Sequence, residues 1–244
     1  MNVLLTGGSR GIGAAIVRAL HASGDRVFFT YNTDAAAGNR LCSELGDGVT
    51  AAQCDLQDPD ALPALVAACI ERLGSIDVLV NNAGIFEWNP FFENTYEGWQ
   101  RGWARTFAVN VFGSVNLTFL VLQHMRQRGS GRIVNIVSRS SHRGELSFAD
   151  YGASKAALNN FTKSIARSCA KDGIVSIAIA PGFIETEMAA SELEERRAEV
   201  EAEIPAGRVG TPEEVAAIAA FFCSGAGDYA NGATIDVNGG SYVR

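Results

Sequence analysis

Histidine is scarce in this chain: His21, His124 and His142 lie far apart and share no ligand spacing with any cysteine, so no metal site is expected. The five cysteines, Cys42, Cys54, Cys69, Cys169 and Cys223, include no C-x-x-C pair. Their odd number argues against a disulfide framework and for reduced thiols in a cytoplasmic protein. Basic charge is short as well. A formal net charge of −7 gives no sign of the basic face that nucleic acid or an anionic membrane would require. Missing, too, is any apolar run of the roughly 18 residues that a membrane span needs. The first strand is expected from Asn2, which leaves no room for a signal peptide.

What is present is the composition of a globular enzyme, 47% hydrophobic and 19% charged over 244 residues, enough for one well-buried core. Short apolar runs alternate with helical patterns along the whole chain. Strands are expected near Val3–Thr6, Val27–Tyr31, Val49–Cys54, Val78–Asn81, Ile133–Val137, Ile174–Ala180 and Thr234–Val237. These runs are hydrophobic throughout rather than alternating, as in a parallel sheet covered on both faces. Crossover helices are expected over 11–23, 35–45, 59–73, 96–127, 154–172 and 212–223. The reading is one α/β domain over residues 1–244, a doubly wound (Rossmann-type) parallel sheet with helices on both faces. The charged run 191–203 stands apart as an exposed helix. It is either a solvated face or, with residues 183–208 as a whole, a lid over a substrate cleft.

Three signals converge on a nucleotide. Val3-Leu-Leu-Thr-Gly-Gly-Ser-Arg-Gly-Ile-Gly13 places Gly7, Gly11 and Gly13 between the first strand and the first helix, with Ser9, Arg10 and Ile12 between them. Glycine there allows a tight turn and close backbone approach to a pyrophosphate, which the helix N-terminus attracts. The third strand ends at Asp55-Leu56, where the carboxylate can bond an adenine amino group, and the fourth at Asn81-Asn82-Ala83-Gly84, on the edge where ligands collect in open α/β sheets. At the second strand's tip stand Tyr31 and Asn32, with no carboxylate to repel a ribose 2′-phosphate. Arg10 could pair with that phosphate or be a solvated loop residue. The balance points to NADP, with NADPH preferred over NADH.

The chemical signal is Tyr151-Gly-Ala-Ser-Lys155, with Ser138 at the end of the fifth strand. Tyrosine and lysine four apart share one helical face. With five tyrosines and few lysines, chance supplies only about 0.06 such matches. A phenol titrates near 10, and an ammonium about 4 Å away would favour the phenolate by about three units before desolvation offsets part of it. That would draw Tyr151 towards the operating pH as the proton donor in ketone reduction, with Ser138 bonding the same oxygen.

These motifs in this order resemble the short-chain dehydrogenase/reductases over essentially the whole chain. Within that family the chain is most similar to the 3-oxoacyl-(acyl carrier protein) reductases, through Pro181-Gly-Phe-Ile-Glu-Thr-Glu-Met188, Ile204-Pro-Ala-Gly-Arg-Val-Gly210 and Val237-Asn-Gly-Gly240. The resemblance implies that Asn110 is a fourth catalytic residue, linking Lys155 to solvent through a water. It implies that Pro181, Gly182, Ile184 and Thr186 cradle the nicotinamide, and that the protein is a homotetramer. It implies a small carbonyl or alcohol substrate, possibly thioester-linked. Open alternatives are a dehydrogenase of a sugar, steroid, polyol or specialised secondary alcohol, a catalytically silent nucleotide-binding regulator, and a methyltransferase using the glycine loop.

Two stretches depart from those reductases. Residues 85–106 are longer and carry Phe86, Trp88, Phe91, Phe92, Trp99 and Trp103, which line a pocket or form core. Asp172 stands where the relatives place a basic residue for their carrier protein, with Lys171, Arg126 and Arg128 as possible compensation. In the loop after Ser138, His142 or Arg143 is a candidate contact for a polar substrate group.

Overall fold

The computed structural model describes residues 1–243. Seven parallel strands form one sheet: β1 (Asn2–Leu5), β2 (Arg26–Tyr31), β3 (Val49–Gln53), β4 (Val78–Asn81), β5 (Gly131–Ile136), β6 (Ile174–Pro181) and β7 (Thr234–Val237). Their order is β3-β2-β1-β4-β5-β6-β7. The direction of winding reverses between β1 and β4, so the loops leaving those two strands open a crevice at their C-terminal ends, the place where such sheets bind ligands.

The crossovers are α1 (Gly11–Ala22), α2 (Ala35–Leu45), α3 (Leu62–Leu73), α4 (Tyr96–Phe107), α5 (Ser114–Arg128), α6 (Ala149–Cys169), α7 (Ala190–Ala202) and α8 (Pro212–Cys223). One core layer joins α1 and α8 to the sheet through Ile16, Leu20, Phe29 and Val215. The other joins α3 and α5 through Leu65, Cys69, Leu117 and Met125. The strands read as apolar because both faces are covered; Val3, Leu4 and Leu5 have no exposed surface.

The structure corrects several boundaries. Thr6 and Cys54 lie just beyond their strands, and α6 begins at Ala149, so Tyr151 is already in its first turn. The expected helix 96–127 is interrupted: a π-helical segment, Ala108–Gly113, joins α4 to α5. Together they make a 33-residue helical stretch, Tyr96–Arg128, which is long and apolar enough to cross a membrane, against expectation. Half of its apolar window is buried, as for the core helix of a domain. Strand β7 is half-buried along its length because it is the sheet's edge. The charged run does form a helix, α7, but it is not exposed on every side: Leu193 and Val200 anchor it to Ile204 and Val209. Its backbone kinks at Arg196.

Candidate active site

The glycine loop is built by close approach. A Cβ on Gly13 would lie 2.0 Å from the Gly7 carbonyl oxygen, and one on Gly7, whose φ is +69°, would lie 3.0 Å from Ala83 Cα. Side chains at either position would push the loop off the sheet. The loop is tied to the turn after β4 from both sides. The Thr6 hydroxyl accepts the backbone N–H groups of Asn82 at 3.0 Å and Ala83 at 3.1 Å. In return the Asn82 side-chain amide donates to the carbonyls of Thr6 (3.0 Å) and Gly7 (2.9 Å). Thr6 is therefore a site residue that the sequence reading passed over, although it sits inside the glycine motif.

Helix α1 starts at this loop with no side-chain cap and no acid in its first turn. Its leading N–H groups and positive dipole end face the cleft, which fits the pyrophosphate of a dinucleotide. The cleft has a volume of about 640 Å³. It gathers Gly7, Ser9, Arg10, Gly11, Ile12 and Gly13 from the first loop, and Tyr31, Asn32, Asp55 and Leu56 from the ends of β2 and β3. Asn82, Ala83 and Gly84 follow β4, and Pro181, Gly182, Ile184 and Thr186 follow β6. Ser138, Tyr151 and Lys155 line its other end, so every expected catalytic and cofactor residue except Asn110 reaches it.

Asn110 sits behind that wall, fully buried in the π-helical segment. Its amide donates to the Ile85 carbonyl (3.0 Å) and the Ser154 hydroxyl (3.0 Å), while its oxygen accepts the Ile85 N–H at 2.8 Å. A Cβ on Gly84 would lie 3.2 Å from both Asn110 Oδ1 and Lys155 Nζ, so Gly84 keeps open the gap between the asparagine and the ammonium.

No hydrogen bond joins Tyr151 to Lys155 among the described residues. Lys155 Nζ donates to the Ile136 carbonyl at 2.9 Å and lies 5.8 Å from the Tyr151 ring centre. Burial is the dominant influence on both groups. It pushes the Tyr151 phenol up to about 12, against a downward pull from the Ser138 hydroxyl, and lowers Lys155 to about 8. The expected lowering of the phenol is not seen in this state: burial, and after it the Glu145 charge, raise it, and only Ser138 pulls it down. The Ser138 hydroxyl donates to Ser140 Oγ at 3.0 Å, and Ser140 passes the chain on to Glu145 Oε1 at 3.0 Å.

The aromatic stretch divides. Phe86 stacks on Phe148 at 3.9 Å and meets Tyr151 edge-on at 4.8 Å, so it walls the cleft beside the phenol. Phe91, Trp99, Trp103 and Phe107 form a separate ladder, with centroids 5.1, 5.7 and 5.6 Å apart. Phe92 and Trp88 are exposed, neither pocket nor core. This insert is fastened to the catalytic helix by Asp150, fully buried, whose Oδ2 accepts the Thr106 hydroxyl at 2.8 Å and the Asn89 amide at 3.3 Å. His142 turns away from the cleft, stacked on Tyr242 at 5.8 Å with Nε2 beside the Asn159 amide; Arg143 lines the cleft. Of the basic residues expected near the end of α6, Arg126 pairs with Asp172 at 3.4 Å and Arg128 with Asp77 at 2.7 Å, while Lys171 is exposed and forms no ion pair among the described residues. Among the described residues, no group of three or more His, Cys, Asp or Glu is placed to hold a metal ion.

A family model described as enoyl-(acyl carrier protein) reductase matches residues 7–242. The chain belongs to the short-chain dehydrogenase/reductase family. It is 36% identical over 240 residues to a 3-oxoacyl-(acyl carrier protein) reductase of Vibrio cholerae, covering 98% of this chain and 96% of that one. It is 40% identical to an acetoacetyl-CoA reductase of Shinella zoogloeoides, covering 98% and 97%. Among solved structures, two Brucella melitensis proteins superpose with a TM-score of 0.90. One, titled a short-chain dehydrogenase/reductase, glucose/ribitol dehydrogenase, is 33% identical over 99% of this chain and 96% of that one. The other, a 3-ketoacyl-(acyl carrier protein) reductase complexed with NADH, is 28% identical over 99% and 98%. The short-chain dehydrogenase/reductase assignment makes this chain a nicotinamide-dependent oxidoreductase that resembles the 3-oxoacyl-(acyl carrier protein) reductases.

Proposed function

We propose that this short-chain dehydrogenase/reductase reduces a ketone, most simply a 3-oxoacyl thioester, to the 3-hydroxy compound, with Tyr151 giving the proton. The observation that carries the reading is the meeting of the Tyr151 phenol and Ser138 hydroxyl in one cleft with the glycine loop. Two hydroxyls aimed at a single oxygen suit a carbonyl becoming an alkoxide. Bound nicotinamide would supply the hydride. The phenol is protonated at neutral pH, as a donor in the reductive direction must be, but its upward shift by burial makes it a weaker acid, which the bound cofactor and substrate would have to offset. Ser138 turns its proton from Ser140 to the substrate oxygen, and Glu145 at the end of that chain accepts the Ser140 hydroxyl throughout. Lys155, with Asn110 behind it, would complete the catalytic set and supply positive charge beside the cleft.

The names of the Vibrio and Shinella relatives support an oxoacyl thioester, and the paired Arg126 and Arg128 offer little free basic surface to an acidic carrier. NADPH is the expected cofactor. Arg10 is exposed and bound only across the cleft mouth to Glu187 at 3.0 Å, a surface pair that a phosphate can displace. Against NADPH stands Asp34, which caps α2 through the Ala37 N–H at 2.8 Å but also lines the cleft beyond β2, where its charge would oppose a phosphate. Residues 183–208 wall the cleft through Glu187, Met188, Glu192 and Arg196, which supports their role as a lid. Exposed Phe112 and Phe119 on one side, and Phe221 and Tyr229 on another, supply apolar faces for a homotetramer, which light scattering would weigh.

The deciding assay follows loss of reduced-nicotinamide absorbance on adding acetoacetyl-CoA, with NADPH and NADH in parallel. Turnover preferring NADPH, and a fall of about 10²-fold or more in Tyr151→Phe with NADPH binding retained, is the expected result. NADPH binding without turnover would remove the oxoacyl assignment. A second reading, oxidation of a polyol, draws on the Brucella dehydrogenase's title and is tested by the same assay run with NADP⁺ and ribitol.

A further inference from the structure

Arg139 has no part in the chemistry described so far, yet it follows Ser138 directly and is only 4% exposed. Its guanidinium lies over the Phe183 ring, 4.7 Å from the centroid. Its ion pair is a loose one, Nε to Glu145 Oε1 at 3.5 Å. That oxygen is already shared, accepting the Ser140 hydroxyl at 3.0 Å and drawing Arg143 Nε to 3.6 Å. Nη1 of Arg139 is enclosed and has no hydrogen-bond partner among the described residues. Glu192 of α7 and Glu203, just past its end, face the guanidinium without closing to an ion pair among the described residues.

A buried guanidinium with an unfilled donor is costly, and protein interiors retain one where a partner completes it. Arg139 lines the same cleft as Ser138 and Tyr151, so an arriving substrate can bring the missing acceptor. Ser138 and Arg139 line one cleft, so a substrate held at Ser138 by its ketone oxygen can offer its second oxygen to the guanidinium. Arginine's planar fork, always charged, suits a carboxylate or a polarised acyl oxygen, whereas an apolar residue would serve a plain ketone equally well.

We propose that Arg139 is a substrate-binding residue that donates to the acyl oxygen of a 3-oxoacyl compound, the thioester carbonyl or a free carboxylate, and so selects 1,3-dicarbonyl substrates over simple ketones. This rests on the oxoacyl reading above. The test compares acetoacetyl-CoA, acetoacetate and cyclohexanone, the last without a second oxygen, in wild type, Arg139→Met and Arg139→Lys at saturating NADPH. Arg139→Met keeps the packing on Phe183 and is expected to raise KM for an oxoacyl substrate about tenfold or more. kcat for that substrate, and kcat/KM for cyclohexanone, stay nearly unchanged, and Arg139→Lys restores part of the loss. The more sensitive of the two oxoacyl substrates identifies the acceptor as carboxylate or thioester.

An equal loss on all three substrates, or a lower melting temperature with impaired NADPH binding, would show that Arg139 serves the fold by pairing with α7, and would overturn the proposal. Calorimetric binding of acetoacetate to the NADP⁺-loaded protein needs no turnover and separates the two readings. Binding about tenfold weaker in Arg139→Met, in a protein that reduces neither oxoacyl compound, would sink the reductase assignment and leave the Arg139 site standing. Absent or unchanged acetoacetate binding, together with an unchanged KM for acetoacetyl-CoA, sinks the Arg139 site.

Discussion

The Lys155 ammonium is fastened to the Ile136 carbonyl at 2.9 Å, while the centre of the Tyr151 ring lies 5.8 Å away. The lysine is thus held by the end of β5, close to Ser138, and makes no hydrogen bond to the tyrosine among the described residues. Its own ionisation is governed by burial.

That arrangement has a signature in pH. Lys155 titrates near 8 in the folded chain and near 10.5 when exposed, so the unfolded chain binds the extra proton between those values. Its contribution to stability is therefore present above 10.5 and lost as pH falls through 8, a change of about 3 kcal/mol. Melting temperatures of wild type minus Lys155→Met should rise from pH 8 towards pH 10; a flat difference would show that the lysine is not desolvated.

Asn110→Ala would strand the Ile85 N–H and carbonyl together, at about 1–3 kcal/mol for each buried group left unpaired. The turn carrying Gly84 should loosen beside Lys155, so kcat falls along with melting temperature. Retained kcat in a destabilised variant would confine Asn110 to a structural part.

Arg10→Ala should weaken NADPH binding about tenfold, roughly 1.4 kcal/mol, and leave NADH unaffected. Glu187→Gln frees Arg10 from its exposed partner and should move NADPH affinity slightly the other way. Fluorescence titration of the two cofactors reads both, and an equal loss for NADH would place Arg10 on the pyrophosphate instead of the 2′-phosphate.

Asp150→Asn puts an amide where one carboxylate oxygen accepts Thr106 and Asn89 and the other accepts the Tyr151 N–H at 2.9 Å. One set of donors then meets an NH₂ group, costing about 2–3 kcal/mol in thermal or urea unfolding. Because the same residue positions the first turn of α6, the loss should extend to kcat; unchanged kinetics would detach the insert from the catalytic helix.

The architecture was legible because each strand is apolar on both faces, and the nucleotide motifs because glycine spacing and strand ends fix where backbone can approach a ligand. Distances within the site were not. Y-x-x-x-K puts two residues on one helical face but says nothing of burial, so the direction of the Tyr151 shift was misjudged. Arg139 carries no signal in the sequence, since nothing local reveals that Phe183 packs against it and that it is buried. His142 was drawn to the cleft by its position in the chain, when its partners, Asn159 and Tyr242, come from distant segments.

The π-helical segment 108–113 has a further consequence for insertions and deletions. A π turn accommodates one residue more than an α turn, and each residue rotates an α-helix by about 100°. Removing a single residue there would restore regular winding and leave α4 and α5 nearly in phase, because the wider turn takes up its extra residue in almost the same sweep. What the deletion would cost is the bulge that carries Asn110 to Ile85 and Ser154. A change of length in this stretch should therefore act through Asn110 rather than by turning one helix against the other.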